Sequence, residues 1–191
     1  MKVLVGLSGG VDSSVAAFLL KQEGFDVTAG FMRNWEDDDG SPYCSVKEDF
    51  LDAAQVADKL GINLVQMNFA QQYKEKVFSY FLDELNNGKT PNPDIYCNKF
   101  IKFKEFTDYA IQNDFEAVAT GHYSKVQVID KEFFLCKSYD QSKDQSYFLS
   151  QVKKDVFKNI KFPLGNLLKT DVRKIAEAEN LITHDKKDST G

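Results

Sequence analysis

The sequence predicts an α/β fold: a parallel, twisted sheet covered by helices on both faces. Three observations point there. Short apolar runs recur as continuous blocks, the pattern of strands buried on both faces. Between them the apolar spacing becomes that of amphipathic helices, and such strand–helix alternation builds parallel sheets. A glycine-rich turn joins the first strand to the first helix, at the sheet end where these folds bind ligands.

The first strand is Val3-Leu4-Val5, followed by a turn through Gly6, Ser8, Gly9 and Gly10. Val11, Val15, Phe18 and Leu19 then mark a helix. Its N-terminus, reached through bare backbone, is suited to an anion, because unpaired N–H groups and the helix dipole both favour negative charge. Glu23-Gly24-Phe25 stops the helix, and Val27 to Met32 forms a second strand. Met32 ends that strand near the turn and serves either as a packing surface for a ligand or as core. Arg33 to Tyr43, with Asp37, Asp38 and Asp39 beside Trp35, reads as a solvated connection. Ser45 and Glu48 form a capping box for a helix marked by Val46, Phe50, Ala53, Ala57 and Leu60. Gly61 ends it, Ile62 to Met67 is a third strand, and a longer helix carries a core stripe of Tyr73, Val77, Phe81 and Leu85 before Asn87-Gly88.

Thr90-Pro91-Asn92-Pro93-Asp94-Ile95-Tyr96-Cys97-Asn98-Lys99 is not generic. Its prolines hold off a helix until about Tyr96. Asp94 is then placed to cap that helix and Cys97 to lie in its first turn, where a thiol pKa falls. The alternative for Cys97 is a small buried hydrophobe. Phe103, Phe106 and Ala110 mark the buried face and leave the lysines elsewhere. Ala117 to Thr120 is a fourth strand, with Gly121-His122 at its ligand end, His122 serving either phosphate or a structural hydrogen bond. Lys125 to Ile129 and Phe133 to Lys137 read as a hairpin turning at Asp130-Lys131, with Cys136 as packing. Lys143-Asp144-Gln145 is a polar turn before an aromatic helix, fit for RNA contact or for capping, and Thr170 opens a last helix marked by Val172, Ile175 and Ala176.

The 191 residues suffice for a full core, and a 42% apolar and 28% charged composition is ordinary for a globular chain. A net charge of −5 argues against a globally basic nucleic-acid binder, though Lys99, Lys102 and Lys104 cluster locally. Cysteines at 44, 97 and 136 form neither a disulfide framework nor a CxxC pair, so reduced thiols are expected. With no apolar run of membrane length and a strand at the start instead of a leader, the expected location is the cytoplasm, with no membrane partner.

Two known phosphate loops do not fit. Val11-Asp12-Ser13 follows Gly10 where a Walker loop needs Gly-Lys-Ser/Thr, and Gly6, Gly9 and Gly10 do not space as Gly-x-Gly-x-x-Gly. The stretch instead resembles the SGGxDS loop of the N-type ATP pyrophosphatases, an adenine nucleotide alpha hydrolase-like fold. That resemblance implies ATP bound across Gly6, Leu7, Ser8, Gly9, Gly10, Val11, Asp12 and Ser13, with Asp12 near Mg2+. SGGVDSS followed by a TPNPDxxCNxxIKF-type segment resembles the tRNA-specific 2-thiouridylases more narrowly. The matching residues are Thr90 to Asp94, Cys97, Asn98 and Ile101 to Phe103, then Ala119 to Tyr123, Lys143 to Leu149, Phe162 to Gly165 and Asp188 to Gly191.

This second resemblance implies ATP-dependent adenylation of the C2 oxygen of a wobble uridine, then sulfur transfer from a persulfide supplied by a donor protein. It implies Met32 and Gly121 near the adenosine, Asp94 as general acid/base, and Cys97 as a sulfur-carrying or resolving thiol. Asn92, Pro93 and Asp94 would meet the target base, and Lys143, Asp144 and Gln145 the tRNA. A lysidine or GMP synthetase, which share the loop class, would leave the NPDxxC segment without a purpose. The family pattern continues past DSTG to a second cysteine, a central region and a C-terminal β-barrel. Residues 1–162 are therefore expected to form the ATP-binding domain and 163–191 to begin the next. An inactive nucleotide- or RNA-binding fragment is the alternative for such a piece.

Overall fold

The computed structural model describes residues 1–35 and 46–188. Asp37, Asp38, Asp39, Tyr43, Cys44, the Ser45 cap and Ser189-Thr190-Gly191 lie outside the described residues. Strands β1 (Lys2–Gly6), β2 (Asp26–Arg33), β3 (Asn63–Asn68), β4 (Ala117–Ala119) and β7 (Ile160–Lys161) form one sheet in the order β3-β2-β1-β4-β7, and every pairing is parallel. β5 (Ser124–Ile129) and β6 (Glu132–Lys137) form the antiparallel hairpin. Asp130 and Lys131 turn it with positive φ at both positions, the backbone of a tight two-residue turn.

Strand β1 is central, and its alternation divides the core. Val3 and Val5 face one layer and Leu4 the other, all fully buried. The first layer gathers α1 (Val11–Gln22), α2 (Val46–Leu60) and α7 (Lys169–Ala178) around Val15, Val56 and Val172. Residues 163–188, expected to open a second unit, contribute Leu164, Val172, Ala176 and Leu181 to this same layer. Their attachment includes a buried hydroxyl pair, in which Thr183 Oγ1 donates to Ser14 Oγ at 3.0 Å.

The second layer holds Ile101, Phe103, Phe106 and Leu149. Here the helical reading needs two corrections. The helix of the NPDxxC segment, α5 (Pro93–Cys97), starts three residues earlier than expected. Asn92 is its cap, accepting the Asp94 N–H at 2.9 Å, and Pro93 stands in the first turn, where its missing N–H costs nothing. The chain then runs through a π-helical stretch, Asn98–Glu105, into α6 (Phe106–Gln112). A second π stretch, Lys74–Phe78, interrupts the long helix between α3 (Ala70–Tyr73) and α4 (Ser79–Asn86). Of the expected stripe Val77 is fully buried, Tyr73 and Phe81 are half-buried and Leu85 is exposed, so it is not a core stripe throughout. Among the described residues no helix is long and apolar enough to cross a membrane.

Candidate nucleotide cleft and thiol cleft

β2 and β4 flank β1 on opposite sides, so the chain reverses its direction of travel across the sheet at the β1/β4 boundary. Ligands in open parallel sheets bind beyond the strand ends at such a point. A cleft of about 200 Å³ lies there, lined by Gly6, Ser8, Asp12, Ser13, Met32 and Gly121, with Leu7, Asn34, Lys102, Thr120, His122 and Gln145 completing it.

The loop beneath it is held by its own hydroxyls. Ser13 Oγ accepts the Ser8 N–H at 3.1 Å, and Ser14 Oγ donates to the Gly10 carbonyl at 2.8 Å. Gly10 caps α1 with no side-chain hydrogen bond, leaving the first-turn N–H groups for an anion. Two glycines are required by space. Gly9 has φ +75°, and a Cβ there would stand 2.3 Å from the Asp49 carbonyl oxygen. At Gly121 a Cβ would stand 2.8 Å from the Ser13 nitrogen, so β4 and the loop approach closely enough only without a side chain. Gly9 and Val11 do not line the cleft, Gly10 lines its neighbour, and Leu7 and Val11 place their side chains in the core.

Asp12 is not free. Tyr123 Oη donates to its Oδ1 at 2.9 Å, and Lys169 Nζ reaches Oδ1 and Oδ2 at 2.7 and 2.8 Å. Burial, with the Asp12 charge next, drives the Tyr123 hydroxyl pKa far up, so it remains a donor. Lys169 also pairs with Asp188 at 3.0 Å, and Lys143 and Arg173 join Asp188 at 2.8 and 2.6 Å. The Lys143 hydrogen bond, with Lys169 and Arg173 behind it, holds the Asp188 carboxyl well below the usual carboxylate range. Magnesium, expected beside Asp12, would have to share the carboxylate with Tyr123 and Lys169, which already donate to its oxygens. Among the described residues no cluster of three His, Cys, Asp or Glu side chains offers another metal site.

A second, larger cleft of about 930 Å³ adjoins the first and shares Ser8, Asn34 and Lys102 with it. Pro93, Asp94 and Cys97 line it, together with Tyr73 and Phe81 from the stripe read as core. Asn92 is exposed and spends its side chain on the cap. Cys97 ends α5 instead of opening a helix, and its thiol is buried. Its pKa is therefore raised, not lowered: burial pushes it up, Lys102 opposes this, and Asp94 adds to it.

In the Lys143-Asp144-Gln145 turn Lys143 is exposed, while Asp144 and Gln145 turn inward. Asp144 accepts from the Ser138 N–H at 2.8 Å and from Ser146 Oγ at 2.7 Å. Gln145 Oε1 accepts the Tyr123 N–H at 2.9 Å, and Gln145 is the member of the three that reaches the nucleotide cleft. His122 is buried against Phe103 and Phe162, with Nδ1 2.8 Å from Thr120 Oγ1, and burial, aided by Lys102, keeps its imidazole neutral. Sequence reasoning missed Lys169, Tyr123, Asn34 and the inward placement of Lys102. Lys169 did leave a signal, since a cation at a helix N-terminus opposes the dipole unless anions surround it.

Solved structures share this fold at low sequence identity. The NMN synthetase of Francisella tularensis superposes with a TM-score of 0.59 at 20% identity, over 98% of this chain and 66% of that one. A 4-thiouridine synthetase in complex with RNA and ATP gives 0.56 at 17%, over 97% and 42%. Closer in sequence are proteins named tRNA-specific 2-thiouridylase MnmA. The one from Dechloromonas aromatica is 56% identical over 99% of this chain, and that from Pseudoalteromonas translucida 53% identical over 100%. The chain spans 52% of each of these two relatives, about half their length. The family model described as tRNA methyl transferase HUP domain matches residues 1–191. A serine–glycine loop at the switch point of a parallel sheet, matched from first residue to last, makes this chain a member of that family.

Proposed function

We propose that this chain is the nucleotide-binding and thiol-bearing part of a tRNA 2-thiouridylase. The observation that carries the reading is the shared wall between the two clefts. A nucleotide on the serine–glycine loop and a base beside Asp94 and Cys97 would meet across Ser8, Asn34 and Lys102. The relatives named tRNA-specific 2-thiouridylase support the substrate class, and the ATP-bound 4-thiouridine synthetase–RNA complex supports ATP as co-substrate.

In this reading the base is splayed from the anticodon stack so that its C2 oxygen can reach the cleft. That oxygen attacks the ATP α-phosphate, pyrophosphate departs, and a poor leaving group becomes AMP. Pyrophosphate sits over the α1 N-terminus, with Met32 and Gly121 beside the adenosine. Asp94 takes the proton that the base loses, and Pro93 shapes its pocket. Sulfur arrives as a persulfide from a donor protein. Cys97 and a second thiol, placed by the resemblance beyond Gly191, divide sulfur carriage and resolution. Because Cys97 is buried with a raised pKa, its activation is assigned to the substrate complex, where the Lys102 charge is already near. Lys143 belongs to the tRNA side only if it leaves Asp188, while Asp144 and Gln145 hold the turn. Asp12 serves Lys169 in this scheme, and no step passes through magnesium.

The test uses the full-length protein with ATP, unmodified tRNA and a persulfide donor. Cys97→Ser should abolish 2-thiouridine, read by nucleoside mass spectrometry, while ATP affinity stays within about twofold. Undiminished 2-thiouridine would remove Cys97 from the mechanism.

A further inference from the structure

Lys102 belongs, by ordinary helical spacing, away from Cys97. Five residues of α-helix at about 100° each leave two side chains roughly 140° apart. The π-helical stretch Asn98–Glu105 changes this relation. An i→i+5 register winds more residues into each turn and brings residues five apart toward one face, and such segments recur at functional sites. Lys102 accordingly lines both the nucleotide cleft and the cleft of Asp94 and Cys97.

Its surroundings set it apart from its neighbours. Lys104 pairs with Asp108, and Lys99 reaches Gln151. Lys102 is half-buried and, among the described residues, makes no hydrogen bond or ion pair. Holding a lysine half-buried without an anion forgoes solvation with no return, unless an anion arrives. Its charge is felt on both sides, opposing the burial of Cys97 and adding to that of His122. Lys169, by contrast, is already committed to Asp12 and Asp188 at the far side of the loop.

We infer that Lys102 is a catalytic residue that holds the α-phosphate of the nucleotide at the wall between the clefts, neutralising charge that builds there during adenylation. The inference rests on the thiouridylase reading. As the C2 oxygen gives an electron pair to the α-phosphorus, the bond to the bridging oxygen breaks and its pair leaves with pyrophosphate. The N3 proton of the base passes to Asp94. Lys102 keeps its proton throughout, and its ammonium faces the non-bridging oxygens in the transition state. When sulfur attacks C2, the same ammonium faces the departing AMP.

The experiment compares full-length wild type with Lys102→Met and Lys102→Arg. Pyrophosphate release is measured in single turnover with ATP and saturating unmodified tRNA, and ATP and tRNA affinities are measured separately. Lys102→Met should slow pyrophosphate release by about 10²-fold, with ATP affinity changed by less than about tenfold, which also reports an intact loop. Lys102→Arg should stay within about tenfold of wild type, because it keeps the charge but not its compact placement. Unchanged release in Lys102→Met overturns the inference. So does a loss confined to tRNA affinity that saturation restores, since that would make Lys102 a backbone contact. If wild type releases no tRNA-dependent pyrophosphate, the thiouridylase reading itself fails and takes this role with it.

Discussion

Lys169 Nζ lies 2.7 Å from Asp12 Oδ1, joining residues 157 positions apart with the lysine side chain only 10% exposed. The pair closes α7 onto the loop. Removing Lys169 leaves Asp12 with the Tyr123 hydroxyl alone, and losing a charged partner costs on the order of 1–3 kcal/mol, less here because Asp12 is partly exposed. Lys169→Met should therefore lower the urea midpoint, and adding Asp12→Asn should recover part of the loss. A double variant no more stable than additivity allows would deny the coupling.

Gly121→Ala tests the close approach of β4 to the loop. The added Cβ meets backbone at the Ser13 nitrogen, which cannot move aside as a side-chain tip does. Overpacking of this kind costs about 1–3 kcal/mol, spent here where phosphate is to bind. Calorimetry should show ATP affinity reduced by at least about tenfold. Full affinity would mean that the loop gives way freely.

Cys97 provides a test with a defined sign. A raised thiol pKa moves the thiolate curve to higher pH, and iodoacetamide reacts with the thiolate. Alkylation of Cys97, followed by peptide mass spectrometry, should lag a free cysteine near neutral pH and begin its climb at a higher pH than the free thiol does. Lys102→Met should move the climb higher still. A rise beginning near neutrality would contradict the burial assigned to this thiol.

His122 makes stability fall on mild acidification. Its folded pKa is depressed by burial, so below the unfolded value of about 6.5 only the unfolded chain takes the proton. The stability that neutral His122 contributes is present above that pH and is lost as pH falls toward the folded pKa. Between pH 7.5 and 5.5 the wild type should lose about 1 kcal/mol more than His122→Gln, read from urea midpoints. Equal losses would place the imidazole in contact with water.

The strands were legible because β1 and β4 are buried on both faces, which writes them as unbroken apolar runs, and β2 buries Val27, Ala29 and Phe31 in alternation. The loop was legible for a different reason, since the serines and glycines that hold it are local. What escaped was either too short or out of register. β7 has two residues, Ile160 and Lys161, and owes its place to pairing with Val118 and Ala119. The lysines of the 99–104 stretch were sorted by an α-helical period that the π segment does not follow. The start of α5 was written in Asn92-Pro93, a cap followed by a helix-compatible proline, but the prolines were read as delaying a helix. The Cys97 pKa reversed sign with that shift, because a thiol at the end of a buried turn has burial in place of a dipole.

The nucleotide cleft also has a history in time. Its floor is made by Gly6, Leu7, Ser8, Asp12 and Ser13, its far wall by Gly121, and the charge partner of Asp12 is Lys169. At a synthesis rate of about 5–20 residues per second, Lys169 follows Asp12 by roughly 8–30 s. Until then a nascent chain carries the loop without the residues that seat it, and β1 must wait for β4, where Ala117 pairs with Val3, before its second edge is paired. If the cleft takes nucleotide as proposed, the ligand can reward folding only after the Lys169 segment has been made and has met the loop.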